Sequence, residues 1–268
     1  PNAPQQQQHQ KDFVYLLEPP TSTIPSCLIV FLGAAGLGQF PHIAYNEFLL
    51  RLSTKLIASI LTAPYQVGLD HFTIAKQAGE RLRKAVLFCE DDPKRQYPST
   101  LPTYCVGHSL GCKLHTIYMG ATGQDYEGIG FLAYNNFGFV QTIRMAREFA
   151  VEIRKSSTMG MGSGASEMLD TIFNVAEMAI GTLGVGFTPT PEDTDRIIST
   201  KYDKADKTRL FVFDDDSLDS SRGFFQACSE NPKVSALPGS HLTPVYFKLG
   251  LDDLDLPVEA RGIAADAI

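Results

Sequence analysis

Cys105-Val-Gly-His-Ser-Leu-Gly-Cys-Lys-Leu-His115 decides the fold. Its centre, Gly107-His108-Ser109-Leu110-Gly111, has the G-x-S-x-G spacing of a nucleophile elbow, in which a serine sits on a sharp turn between a strand and a helix. Small residues two positions before and after Ser109 are required, because larger side chains would collide with the strand and helix packed around the turn. The flanks agree with this frame. Leu101 to Val106 reads as a strand, and Leu110 to Met119 reads as a helix with Leu114, Ile117 and Tyr118 on one face.

A serine hydroxyl is a weak nucleophile until a base takes its proton, so a histidine and a group that orients it are needed. With this elbow they follow in the order serine, acid, histidine. Thr208-Arg-Leu-Phe-Val-Phe213 is a compact β-branched and aromatic run that ends in Asp214-Asp-Asp-Ser-Leu-Asp219. It predicts a strand delivering carboxylates at its C-terminal edge, where open α/β sheets hold their ligands. Lys233 to Leu237 predicts a further strand, running into Pro238-Gly-Ser-His241. His241 is the only histidine after His115, and His115 lies on the helix leaving the elbow, facing away from Ser109. His241 is therefore the expected base. Asp216 is the favoured acid, because it lies a few residues past its strand and precedes a small and an aliphatic residue; Asp215 and Asp219 stay open. The preceding strand, Ile129 to Tyr134, ends in Asn135-Asn136 and offers no carboxylate.

Acyl transfer also needs donors aimed at the developing oxyanion. One is expected from the backbone N–H of Leu110, and the other from the loop after the apolar strand Ser26 to Leu32. That loop, Gly33-Ala-Ala-Gly-Leu-Gly38, lets amides face a ligand without side-chain obstruction, and the second donor is assigned to Ala34 or Ala35. Its glycines do not fit G-x-G-x-x-G, and the Gly-Lys-Ser/Thr ending of a phosphate loop is lacking. No cofactor is expected.

A chain of 268 residues fits one large α/β domain, and a net charge of −7 argues against nucleic acid, whose phosphates call for basic patches. The longest apolar stretch, Cys27 to Gly38, is too short to span a bilayer, which leaves room only for peripheral membrane contact. Five cysteines without C-x-x-C spacing indicate neither a disulfide framework nor a zinc site. Counting a calcium loop from Asp214 puts Asp219 where glycine is required and Phe225 where a bidentate glutamate belongs, so no metal is expected.

Further strands are predicted at Asp12 to Glu18 and Lys55 to Ile60, with helices at 42–53 and Asp70 to Glu90. Strands alternating with helices predict a largely parallel sheet covered on both faces. The core is expected over 12–139 and 201–250, with a trimmed or disordered segment at 1–11 and a solvated tail at 251–268. Residues 140–200 break the rhythm with helical stretches separated by the hinge Ser156 to Gly164, and are expected to form a helical cap. Met159, Met161, Met168, Met178, Phe173 and Phe187 in this cap either face a greasy substrate or form the cap's own core. Asp70 is expected either to line the pocket with His71 or to cap the helix that follows.

Five segments together carry a family resemblance: Phe31 to His42, Ala63-Pro-Tyr65 with Asp70-His71, Val106 to His115, Phe187-Thr-Pro-Thr-Pro-Glu192, and Asp214 to Asp219. They resemble an α/β-hydrolase-like family of cyanobacteria, algae and plants known only as a domain of unknown function, over about residues 12 to 248. The resemblance implies an α/β-hydrolase fold and a chloroplast location, and brings no substrate. Ordinary lipases carry a His-Gly pair where this chain has Leu32-Gly33.

Two functions fit these residues. The first is a serine hydrolase that cleaves a carboxylic ester or thioester of a hydrophobic acyl or isoprenoid compound, with Ser109, His241 and Asp216 as its triad. The second is a non-catalytic protein of the same fold that binds a lipid or pigment or docks to a photosynthetic complex. Retention of all three triad residues in the right order favours the enzyme.

Overall fold

The chain is described as a computed structural model over residues 13–19, 24–92, 97, 98, 100–139, 141, 142 and 186–245. Strands β1 (Tyr15–Leu17), β2 (Cys27–Leu32), β3 (Ala58–Thr62), β4 (Thr103–His108), β5 (Gly128–Leu132), β6 (Thr208–Asp215) and β7 (Lys233–Ser240) form one sheet in the order β1-β3-β2-β4-β5-β6-β7. Among these described strands only β1 runs antiparallel, pairing Tyr15 with Thr62 and Leu17 with Ile60. All other neighbours are parallel. This is the α/β-hydrolase fold.

All six residues of β2 and all five of β3 are buried, as expected of strands covered on both faces. The alternation along β2 divides the core. Leu28, Val30 and Leu32 face helices α3 (His71–Asp91) and α4 (Leu110–Thr122), while Cys27, Ile29 and Phe31 face α1 (Pro41–Ala44) and α2 (Asn46–Leu56). Helix α4 is buried from Leu110 through Met119, so it lies inside the molecule rather than on it. Cys27, Cys89, Cys105 and Cys112 are buried and Cys228 is half-buried.

The strand predicted over Lys55 to Ile60 is present as β3 but begins three residues later, because Lys55 and Leu56 form the last turn of α2. The helix runs to Leu56, Ile57 closes it in the left-handed region (φ 50°), and β3 begins at Ala58. The apolar run that suggested a strand contains Leu56 and Ile57, which are 47% and 46% exposed at this turn. Two helices unread in the sequence add to the α4 side, α5 (Pro191–Lys201) and α6 (Ser221–Ala227). In α5 the Thr190 side chain caps the Asp193 N–H and Pro191 occupies the first turn. Helix α5, at the end of the segment expected to form a cap, lies against α4 and α6. The hinge Ser156 to Gly164 and most of the predicted cap lie outside the described residues.

The chain crosses from β3, on one side of β2, to β4 on the other. The loops after β2 and β4 therefore leave the sheet in opposite directions and open a crevice between them. That crevice holds the site.

Candidate active site

Ser109 stands between β4 and α4 at φ 54° and ψ −119°, a backbone conformation that L side chains rarely adopt. Such strain concentrates at functional positions. The two elbow glycines are required by contact: a Cβ at Gly107 would lie 2.8 Å from the Cys112 nitrogen, and one at Gly111 would overlap the Leu32 carbonyl. The Ser109 N–H donates to the Leu132 carbonyl at 2.9 Å, tying the turn to the end of β5.

His241 follows β7, and its Nε2 lies 2.9 Å from Ser109 Oγ. Its Nδ1 lies 2.9 Å from Asp216 Oδ2 and 3.1 Å from Oδ1. An ionised carboxylate only accepts, so Nδ1 carries the proton and Nε2 presents its lone pair to the Ser109 hydroxyl. Asp216 is held by the Leu218 N–H at 2.8 Å, and its side chain is fully buried. A register shift between Phe213 and Asp215 at the end of β6 accompanies this placement. Ser109 and His241 are 5% and 8% exposed, so the pair is shielded from bulk water.

The other aspartates have separate duties. Asp214 accepts the Gly239 N–H at 2.9 Å, and Asp219 accepts the N–H and hydroxyl of Ser221 at the start of α6. Asp215 lies in β6, paired with Ser240. Burial pushes the Asp219 carboxyl above the usual range. Asp70 caps α3 by accepting the Thr73 N–H at 2.9 Å, and His71 is buried with its ring stacked on Phe187. No group of three or more His, Cys, Asp or Glu able to hold a metal occurs among the described residues.

The N–H groups of Ala34 and Ala35, the two alternatives for the second oxyanion donor, differ in their partners. The Ala34 N–H donates to the Tyr45 hydroxyl at 2.7 Å inside the core, so it is not free for a ligand. The N–H groups of Ala35 and Leu110 have no partner among the described residues, Leu110 because it opens a helix. Tyr45 and His108 escaped the sequence reading. Tyr45 Oη lies 2.7 Å from His108 Nδ1, and His108 Nε2 lies 2.8 Å from the His241 carbonyl. Lys113, one turn into α4, is 1% exposed, with Nζ 3.4 Å from the Pro189 carbonyl and 5.9 Å from the Phe187 ring centre. Burial lowers its pKa to about 8.

The sequence profile of the DUF1350 proteins, described as of unknown function, matches residues 14–254. The chain belongs to the DUF1350 family. No curated protein sequence matches it. Among solved structures, this DUF1350 chain is similar to the peroxisomal alpha-beta-hydrolase from Saccharomyces cerevisiae, with TM-score 0.53, 12% identity, and 95% and 87% of the two chains covered. A soluble variant of monoglyceride lipase from Saccharomyces cerevisiae gives 0.51 and 13%, covering 85% and 83%. The thioesterase domain from the curacin biosynthetic pathway gives 0.50 and 11%, covering 95% and 93%. At these identities the likeness is one of fold.

Proposed function

We propose that this chain is a serine hydrolase acting on a carboxylic ester or thioester of a hydrophobic acyl or isoprenoid-type compound. The observation that carries the reading is the continuous path from Ser109 Oγ to His241 Nε2 and from His241 Nδ1 to Asp216, both steps at 2.9 Å. As Oγ attacks the carbonyl carbon, its proton passes to Nε2, and Asp216 stabilises the imidazolium that forms. The free N–H groups of Leu110 and Ala35 are the donors for the oxyanion. Collapse of the tetrahedral intermediate breaks the C–O or C–S bond, and Nε2 returns the proton to the leaving group. Water, activated by the same nitrogen, then releases the acid and restores Ser109. The ester or thioester class is in keeping with the monoglyceride lipase and the thioesterase domain that share the fold. A chloroplast setting rests on the sequence resemblance alone.

The test is labelling with a fluorophosphonate, alongside turnover of p-nitrophenyl esters and acyl thioesters of graded chain length. Wild type labels and turns over at least one ester; Ser109→Ala does neither. A folded wild type that neither labels nor hydrolyses any of them sinks the proposal and leaves the binding or assembly reading as the better one.

A further inference from the structure

Three loops meet at this site, after β2, β4 and β7, and one buried chain of hydrogen bonds joins them. Its direction follows from elementary donor and acceptor capacity. The His241 carbonyl only accepts, so the proton of His108 sits on Nε2, 2.8 Å away. Nδ1 of the neutral ring then carries a lone pair, which accepts the hydrogen bond donated by the Tyr45 hydroxyl at 2.7 Å. The Tyr45 oxygen in turn accepts the Ala34 N–H at 2.7 Å. Burial, reinforced by the nearby His241 ring, pushes the His108 pKa well below the usual range and keeps this ring neutral. An imidazolium there would lose the acceptor for Tyr45 and repel a protonated His241, whose ring centre is 5.1 Å away.

The Gly33–Ala34 peptide is gripped from both sides. Its N–H goes to Tyr45, and its carbonyl accepts the Tyr65 hydroxyl at 2.6 Å. Tyr45 lies so close that a Cβ at Gly33 would be 2.5 Å from its Cε2. The carbonyl of the next peptide accepts the Gly38 N–H at 2.6 Å. In a trans peptide the N–H points opposite to its carbonyl, so the Ala35 N–H is turned away from Gly38 and left free.

We propose that Tyr45 and His108 are positioning residues for acyl transfer: they lock the loop bearing the Ala35 oxyanion donor to the backbone of the base, His241, so that donor and base keep one fixed separation. The proposal rests on the serine hydrolase reading. Neither residue touches the substrate. Both act through the groups they hold.

The test is Tyr45→Phe, which removes one hydroxyl and keeps the ring, measured against Tyr202→Phe. Tyr202 is an equally buried tyrosine, bonded to Thr208 Oγ1 at 2.7 Å and outside the site. Tyr45→Phe is expected to lower kcat for a p-nitrophenyl ester and the fluorophosphonate labelling rate by about ten- to a hundred-fold, with KM within about twofold. Tyr202→Phe leaves all three at wild-type values. Nitrogen-15 spectra of the histidine rings provide a readout independent of activity: His108 holds its neutral Nε2–H form through the range where an ordinary histidine titrates, and the His241 ring signals move in Tyr45→Phe. Should Tyr45→Phe fail to fold, His108→Gln serves the same purpose, since it offers an amide N–H near the Nε2 position and lacks the Nδ1 acceptor. The proposal is overturned if the variant retains wild-type kcat, labelling rate and His241 signals, or if Tyr202→Phe is equally impaired. A wild type inert to every ester and to the fluorophosphonate overturns the hydrolase reading instead, and the His241 signals then judge the relay on their own.

Discussion

Ser109, His241 and Asp216 come from three separate strand ends, and each is useful only while the other two stay in place. Their substitutions should therefore fail to add. Ser109→Ala and His241→Ala each lower kcat/KM by about a thousandfold or more, and the double variant is scarcely worse than either, because the two act as one unit. Asp216→Asn is expected to lose about a hundred- to ten-thousandfold through an imidazole in the wrong tautomer. Additive losses in the double variant would show that the two side chains act independently. Lys113 makes a different prediction, about stability. Burial depresses its pKa from 10.5 to about 8, so the folded state binds this proton less tightly than the unfolded chain. The resulting penalty, up to about 3 kcal/mol, is complete below about pH 8 and disappears as the pH rises to about 10.5. Lys113→Met should accordingly raise the Tm at pH 7 by several degrees, with the gap over wild type narrowing across that window. Thermal unfolding in a pH series checks this, and a gap constant with pH would refute it.

Among the elements, those that carry the site were the most legible, because their signals are local. The elbow announces itself through Gly107 and Gly111, β6 through a β-branched and aromatic run leading to Asp216, and β7 through a short strand-like segment leading to His241. The boundary of α2 was misread because Leu56 and Ile57 are apolar yet exposed, so hydrophobicity there does not report burial. Tyr45 and His108 were illegible for another reason. Their partners lie 11, 63 and 133 residues away in the sequence, and only the sheet order brings them together. The choice between Ala34 and Ala35 as donor is hidden for the same reason, since nothing near Ala34 in sequence reveals that its N–H is already engaged. The glycines allow a test at this scale. Gly111→Ala drives a methyl into the Leu32 backbone, whereas Gly223→Ala, in α6, meets nothing within 4 Å. Urea unfolding should show the first strongly destabilised and the second unchanged or stabilised by about 0.5–1 kcal/mol. Equal effects would mean that α4 can retreat from β2 at no cost.

Across the whole molecule, the switch in strand order gathers the oxyanion loop, the elbow, the acid and the base at one edge of a single sheet. The same sheet sets where the cysteines fall. Cys27 and Cys105 lie in β2 and β4, Cys112 in α4 and Cys89 in α3, all buried, and burial pushes the thiols of Cys27, Cys105 and Cys112 above the usual range. A thiol that is both inaccessible and protonated does not react. In the folded protein a disulfide reagent is expected to consume Cys228 first and the other four only at the rate at which the chain opens. The rate for those four should rise with urea in step with unfolding measured by circular dichroism. Rapid reaction of all five in buffer would contradict the packing described above. The four buried sulfurs thus act as a clock written into the fold. An alkylating agent that stops ester turnover within the lifetime of the native state must be acting somewhere other than on these four cysteines, and one that stops it slowly is timing how often the sheet comes apart.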